Sequence, residues 1–343
     1  MFPLHTQFYI MELNSHIMGG LSVESTAQKT QGHPAGNFSR GIATDLHHTL
    51  PCWKETPLSA SALRSLLTSA RYEILPTSGI IDRITDHVAP GRTITVTAST
   101  GLGLDATLST AEQLQALGYD AVPHIAARMV QGRTELTEII DRIGHAGIDT
   151  IFVPAGDATP PAGGYASALD LLVDLTSMAP PISRIGVSAY PESHPLIPDD
   201  VTVQAMWDKR DYATHIVSNL CFDPGVVSTW LARVRARGIE LPLILGIPGK
   251  VELAKLAKVA AKIGVGESTR FLRKNTGTFT RMARPGGYNP RKFLDRLSPV
   301  LADPYMDVSG LHIYTFNQVK DTEAWRRKQL ELLGDPDSSS FVS

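Results

Sequence analysis

From residue 71 onward the chain repeats one pattern eight times: a short run rich in β-branched and aliphatic residues, then a longer segment whose apolar residues recur at helical spacing. The runs are Tyr72 to Leu75, Thr93 to Ala98, Ala121 to Ile125, Thr150 to Pro154, Arg184 to Ala189, His215 to Leu220, Leu243 to Ile247 and Leu311 to Phe316. Segments such as Glu135 to Ile143 are amphipathic, and Gly118, Gly147, Gly238 and Gly264 stand where a helix would close before the next strand. Strands alternating with helices pair in parallel, and eight such units predict a (β/α)8 TIM barrel of the α/β class. The connection between the seventh and eighth strands is far longer than the others. It includes Gly266 to Gly287 and a helical stretch from Arg291 to Leu301, so extra helices are expected there, over the barrel mouth.

This organisation divides the chain into a leader over 1–48, a catalytic barrel over 49–330 and a tail over 331–343. The leader is rich in Ser, Thr, Gly, His and Asn without a sustained period, and is expected to be flexible. Its histidines (His5, His16, His33, His47, His48) lack ligand spacing, and Met11 and Met18 offer later starts. Among 343 residues, 43% are hydrophobic and 19% charged, as in globular proteins. A net charge of -2 without a clustered basic face argues against nucleic acid as a partner. No stretch approaches the roughly 20 apolar residues of a membrane span. The first twenty residues carry no Lys or Arg and no continuous apolar run, and two distant cysteines, Cys52 and Cys221, imply neither a disulfide framework nor a zinc cluster. A cytoplasmic location is expected.

In a β/α barrel, polar side chains near the C-terminal end of each strand face the active site. The first strand offers Glu73, the third ends at His124, and the fourth leads into Ala155-Gly156-Asp157. The fifth gives Ala189-Tyr190-Pro191-Glu192-Ser193-His194-Pro195, the sixth Asn219, and the eighth Tyr314-Thr315-Phe316-Asn317. Singly, a strand glutamate is most often an ion-pair partner and a strand histidine a satisfied core residue. Two acids and two histidines converging from different strands favour a catalytic site. No GxGxxG follows the second strand, so no dinucleotide-fold fingerprint is present.

Taken in order, Tyr-Glu-Ile-Leu-Pro at 72–76, Pro123-His124, Gly156-Asp157, Ala-Tyr-Pro-Glu-Ser-His-Pro at 189–195, Lys209-Arg210-Asp211, Cys221-Phe222-Asp223 and His-Ile-Tyr-Thr-Phe-Asn at 312–317 resemble bacterial methylenetetrahydrofolate reductases. The likeness runs from residue 72 to about 318. It implies FAD as cofactor, reduced by NADH or NADPH, and interconversion of 5,10-methylenetetrahydrofolate and 5-methyltetrahydrofolate. The resemblance places Glu73 as the general acid that protonates the nitrogen freed when the folate ring opens. It places Asp157 near flavin and pterin, accepting hydrogen bonds from the pterin's amino-pyrimidine edge, and Asn219 on the substrate. Flavin contacts carry over to Thr97, His124, Gly156, Asp157, Tyr165, Ala166, Tyr190, His194 and Lys209, with Lys209 the cation for the diphosphate. Such barrels commonly associate, so a homo-oligomer is expected.

The sequence departs from the family pattern at four places. Ala155 stands where the family has Arg, Ala98-Ser99-Thr100 replaces a Tyr-Gly-Ala run, and Asn219 replaces a glutamine. The substrate-stacking aromatic after the seventh strand has no counterpart near Val251. Weakened or altered ligand binding is expected, and two alternatives stay open: a folate- or pterin-dependent methyltransferase, and a barrel that binds folate without catalysis.

Overall fold

A computed structural model describes residues 58–194, 197–249 and 289–334. The leader, Val251, Gly264, the Gly266 to Gly287 stretch and the end of the tail lie outside the described residues. Eight parallel strands follow one another: β1 (Arg71–Ile74), β2 (Thr93–Val96), β3 (Asp120–Pro123), β4 (Thr150–Phe152), β5 (Arg184–Ala189), β6 (His215–Ser218), β7 (Leu243–Pro248) and β8 (Val308–Tyr314). They are ordered β3-β2-β1-β8-β7-β6-β5-β4, and the two ends of that row meet where His124 bridges Phe152 and the Ile125 amide donates to the Phe152 carbonyl at 2.8 Å. The ring closes as a (β/α)8 barrel.

All eight expected strands are present. Several ladders stop one or two residues short of the apolar run, as at Val96 and Phe152, because the chain continues extended while leaving the pairing to enter the loops at the mouth. β8 begins three residues earlier than its apolar run, since Val308-Ser309-Gly310 pairs with β7 although it carries few large side chains.

The helical layer is α1 (Ala60–Thr68), α2 (Ile80–Thr85), α3 (Gly103–Ala116), α4 (Arg133–His145), α5 (Ala168–Ser177), α6 (Asp199–Lys209), α7 (Pro224–Ala236), α8 (Pro290–Leu301) and α9 (Val319–Leu332). Local chemistry sets their starts. Ser167 and Asp170 form a reciprocal capping box on α5, while Asp223 and Asn289 cap α7 and α8 ahead of Pro224 and Pro290. Helix α8 covers the expected Arg291 to Leu301 stretch. Helix α1, which the sequence reading did not single out, buries Leu63, Leu66 and Leu67 at helical spacing. No helix among the described residues is long and apolar enough to cross a membrane.

Strand parity decides which side chains enter the barrel. On β1 the Tyr72 hydroxyl donates to Glu323 of α9, so Tyr72 faces the helices and Glu73 faces inward. Val122, Phe152, Val217 and Ile244 form the apolar packing inside the barrel. The floor, built from residues that open strands, is polar and paired within itself. Arg71 donates to His215 Nε2 at 3.0 Å, Thr93 to Asp120 at 2.8 Å, and Arg184 pairs with Asp149 at 3.1 Å. Burial, Arg71 and Arg184 push the His215 pKa down to about 3, consistent with a neutral ring that accepts from Arg71. With the floor closed, the C-terminal mouth is the open chemical face.

Candidate active site

Glu73 occupies the inward face of β1, beside Thr95 of β2 and Tyr314 of β8 in register. It is 4% exposed. Strand β8 positions it twice: His312 Nε2 lies 2.9 Å from its carboxyl Oε2, and the Thr315 hydroxyl donates to its main-chain carbonyl at 2.6 Å. A buried carboxyl needs such partners, because leaving its oxygens unpaired costs about 1–3 kcal/mol or more. Tyr314 packs against His312 with ring centroids 4.6 Å apart and donates its hydroxyl to the Ser218 carbonyl at 3.0 Å. Burial, together with the nearby Glu73, Cys221 and Tyr190, raises the Tyr314 pKa well above the usual phenol range, so the hydroxyl keeps its hydrogen.

His124, just past β3, is buried against Phe152 with ring centroids 4.9 Å apart. Burial and the nearby His312 hold its pKa well below the usual imidazole range. Beyond β5, Tyr190 and His194 are buried and meet edge to face at 5.0 Å, and His194 Nδ1 accepts the Ile197 amide at 3.0 Å. Glu192 of the same run is structural: its carboxylate accepts the amides of Phe222 and Asp223, tying the loop after β5 to the loop after β6. Asn219 is half-buried, with its amide nitrogen held by the Ala189 carbonyl and its Oδ1 accepting from Leu220 at 2.8 Å.

After β4, Gly156 and Asp157 are half-buried at the mouth. Gly156 has φ +80°, and a Cβ there would lie 2.8 Å from the Ala126 Cβ, so the loop's close approach to the chain after β3 requires glycine. The position where the family pattern carries Arg holds fully buried Ala155, whose carbonyl accepts the Arg128 amide at 2.8 Å. Sequence reasoning missed Arg128. Its guanidinium donates to the carbonyls of Ala158 at 2.8 Å and Ala166 at 3.1 Å, so the cation against this loop comes from the turn after β3. Tyr165 is buried, but its hydroxyl donates to Asp174 of α5 at 2.8 Å, and burial and Asp174 push its pKa up to about 12. Its hydroxyl is thus committed to the helix layer. Lys209, at the end of α6, is 1% exposed, which rules out a solvated helix residue.

Two further features bear on the site, and of the residues in them only Thr97 was assigned a role from the sequence. His312 stands within the quoted motif without a role, although its parity with Tyr314 marks it as inward-facing. The hydroxyls of Thr95, Thr97, Ser99 and Ser188 are buried without a hydrogen-bond partner among the described residues. Buried polar atoms are almost always paired, so this set has capacity for polar ligand atoms or water.

Comparison with known proteins places these features in a family. A family model described as methylenetetrahydrofolate reductase matches residues 77–268, more than half of the chain. Methylenetetrahydrofolate reductase 2 of Saccharomyces cerevisiae is 26% identical over 256 residues, covering 70% of this chain and 42% of the yeast protein. The chain thus spans less than half the length of that relative. Among solved structures, a GH18 chitinase from Pseudoalteromonas aurantia aligns with TM-score 0.43 and 12% identity over 75% of this chain and 99% of the chitinase. An oxaloacetate acetylhydrolase aligns with TM-score 0.40 and 12% identity over 71% of this chain and 95% of the hydrolase. At those scores neither likeness bears on chemistry. The family match begins just after Glu73 and runs through β2 to β7, taking in Gly156-Asp157 and the Tyr190 to His194 run, and on it the chain belongs to the methylenetetrahydrofolate reductase family.

Proposed function

We propose that the protein is a flavin-dependent oxidoreductase that interconverts 5,10-methylenetetrahydrofolate and 5-methyltetrahydrofolate, with NADH or NADPH as the hydride partner and Glu73 as general acid. The observation that carries this is the inward, buried Glu73 carboxyl held by His312 inside the barrel. Family membership supports the folate substrate.

The residues fit a flavin. Its ring system is polar at the edges and apolar on its faces, and the chain past the strands offers both the buried hydroxyls of Thr97 and Ser99 and the buried rings of His124 and Tyr190. Thr97, His124, Gly156, Ala166, Tyr190, His194 and Lys209 would hold it, with Tyr165 contributing through its ring or main chain. When bound, FAD supplies hydride transfer between nicotinamide and folate. Asp157 would accept hydrogen bonds from the substrate's amino-pyrimidine edge, and Asn219 would bind beside it. Glu73 protonates the folate nitrogen as its bond to the bridging carbon opens. Burial excludes water from the reactive iminium that results. The methyltransferase alternative finds no thiolate support in Cys221, which is wholly buried and whose pKa burial raises.

An absorbance spectrum tests the proposal. Purified protein should be yellow, bleach on anaerobic addition of NADH or NADPH, and regain colour on addition of methylenetetrahydrofolate. A colourless preparation that takes up no added FAD overturns it.

A further inference from the structure

We propose that His312 is a positioning residue that keeps the Glu73 carboxyl hydrogen-bonded in both of its protonation states, donating from Nε2 to the carboxylate and accepting at Nε2 from the acid. This rests on the proposed role of Glu73. A general acid passes between two forms in each turnover, and a buried partner that can only donate, such as Lys or Arg, favours the carboxylate. Neutral histidine can do either, provided nothing fixes its tautomer.

His312 meets that condition. It is 2% exposed, its Nε2 faces Glu73 Oε2 at 2.9 Å, and its buried Nδ1 has no hydrogen-bond partner among the described residues. His215 on β6 is the contrast: Arg71 holds its Nε2 and the Thr214 hydroxyl lies 3.0 Å from its Nδ1, so both nitrogens are committed. For the Glu73 carboxyl itself, His312 is the single hydrogen-bond partner among the described residues. The other titratable groups facing the pair are Tyr314 on β8, His124 beyond β3, and His215 on β6 with Arg71 of β1 behind it. Tyr314 is committed to the Ser218 carbonyl.

The proton count closes. In the acid form Glu73 carries the hydrogen and His312 carries its own on Nδ1. When folate binds, the Glu73 hydroxyl turns its hydrogen from His312 Nε2 to the folate nitrogen, and as that nitrogen's bond to carbon opens, the bond's electron pair takes the proton and becomes the new N–H bond. His312 then presents Nε2–H to the carboxylate, its ring hydrogens exchanging with solvent without change in number. One solvent proton restores the acid after product leaves.

Two experiments decide it. In His312→Leu the partner is gone, and the ratio of folate reduction to NADH–quinone turnover should fall at least tenfold, in kcat more than in KM. In His312→Gln, whose amide can donate or accept, that ratio should return to within about fivefold of wild type. Failure of Gln to rescue, or equal loss in both half-reactions, overturns the positioning role. Independently, ring ¹⁵N shifts of His312 in the purified protein should report both tautomers, and a ring carrying Nε2–H at every pH overturns it without reference to activity. Wild-type protein that binds no flavin and oxidises no NADH defeats instead the proposed function, whatever His312 does.

Discussion

Asn317 pairs with Leu75 as if it were one more residue of strand. Its side-chain Oδ1 accepts the Leu75 amide at 2.8 Å, and its Nδ2 donates to the Leu75 carbonyl at 3.1 Å and to the Thr77 hydroxyl at 2.9 Å. The β1 and β8 ladder is thereby prolonged past Ile74 by a side chain, which holds the exit of the strand that carries Glu73.

Asn317 also has φ +58°, in the left-handed region that Asn and Gly tolerate best. Asn317→Ala should lower stability by about 2–3 kcal/mol, through the lost bonds and the unsatisfied Leu75 amide. Asn317→Gly should lose the same bonds but recover about 1 kcal/mol of backbone strain relative to Ala. Urea unfolding midpoints checks the order wild type, Gly, Ala, and an Ala variant as stable as wild type would show that the clamp contributes nothing.

Replacing the acid separates the half-reactions. Glu73→Gln retains size and a hydrogen-bonding partner for His312 but carries no acid proton, so folate reduction should drop at least about a hundredfold relative to NADH oxidation with a quinone acceptor. Stopped-flow measurement of each half-reaction distinguishes this from a collapsed site, in which both would fall together.

The fold was legible because periodicity is a local signal: each strand and helix was written in its own residues, and the places of Glu73, His124 and Tyr190 at strand ends could be read from it, while their roles came only from the family resemblance. What remained hidden is tertiary. Arg128 belongs to no motif, and its contacts to Ala158 and Ala166 become visible only once the loops after β3 and β4 are packed together. Lys209 was expected to serve as the diphosphate cation, but its burial, at 1% exposed, could not be read from its place at a polar helix end. The Tyr165 hydroxyl could have pointed to mouth or helix, and only the placement of Asp174 decides.

Acid should unfold the protein in two steps of slope. The folded His215 pKa is about 3 against an ordinary value of 6.5, so its contribution is complete above pH 6.5 and is lost as pH falls toward 3. Glu323 is lowered to about 2: burial opposes its ionisation, but hydrogen bonds from Arg326, Tyr72 and Arg327 outweigh it. Its contribution is complete above pH 4.5 and is lost between 4.5 and 2. One proton corresponds to about 1.4 kcal/mol per pH unit. His215→Gln, which still offers Arg71 an acceptor, should flatten the dependence between pH 6.5 and 4.5 by about that slope in urea titrations. Tyr72→Phe should cost about 1–2 kcal/mol at neutral pH and flatten the dependence below pH 4.5, where that contribution is lost in the wild type.

Gly246 is the point at which the barrel wall tolerates no side chain. A Cβ there would lie 2.2 Å from the Ser218 carbonyl oxygen, 2.7 Å from that of Asn219 and 2.9 Å from Tyr314 Cε2. Two of these are backbone atoms of β6 and its exit, which cannot rotate aside, so Gly246→Ala must spread β6 from β7 or expel the Tyr314 ring from its place beside His312. Either route breaks the bond from Tyr314 to Ser218 and disturbs the strand that positions Glu73. A loss of about 3 kcal/mol is expected, with folate reduction falling further than stability alone explains. Gly132, with no atom within 4 Å of an added Cβ and an extended φ of 166°, is the control. Gly132→Ala should stay within about 0.5 kcal/mol of wild type, and comparable losses at the two positions would show that close packing around β7 is not what selects glycine there.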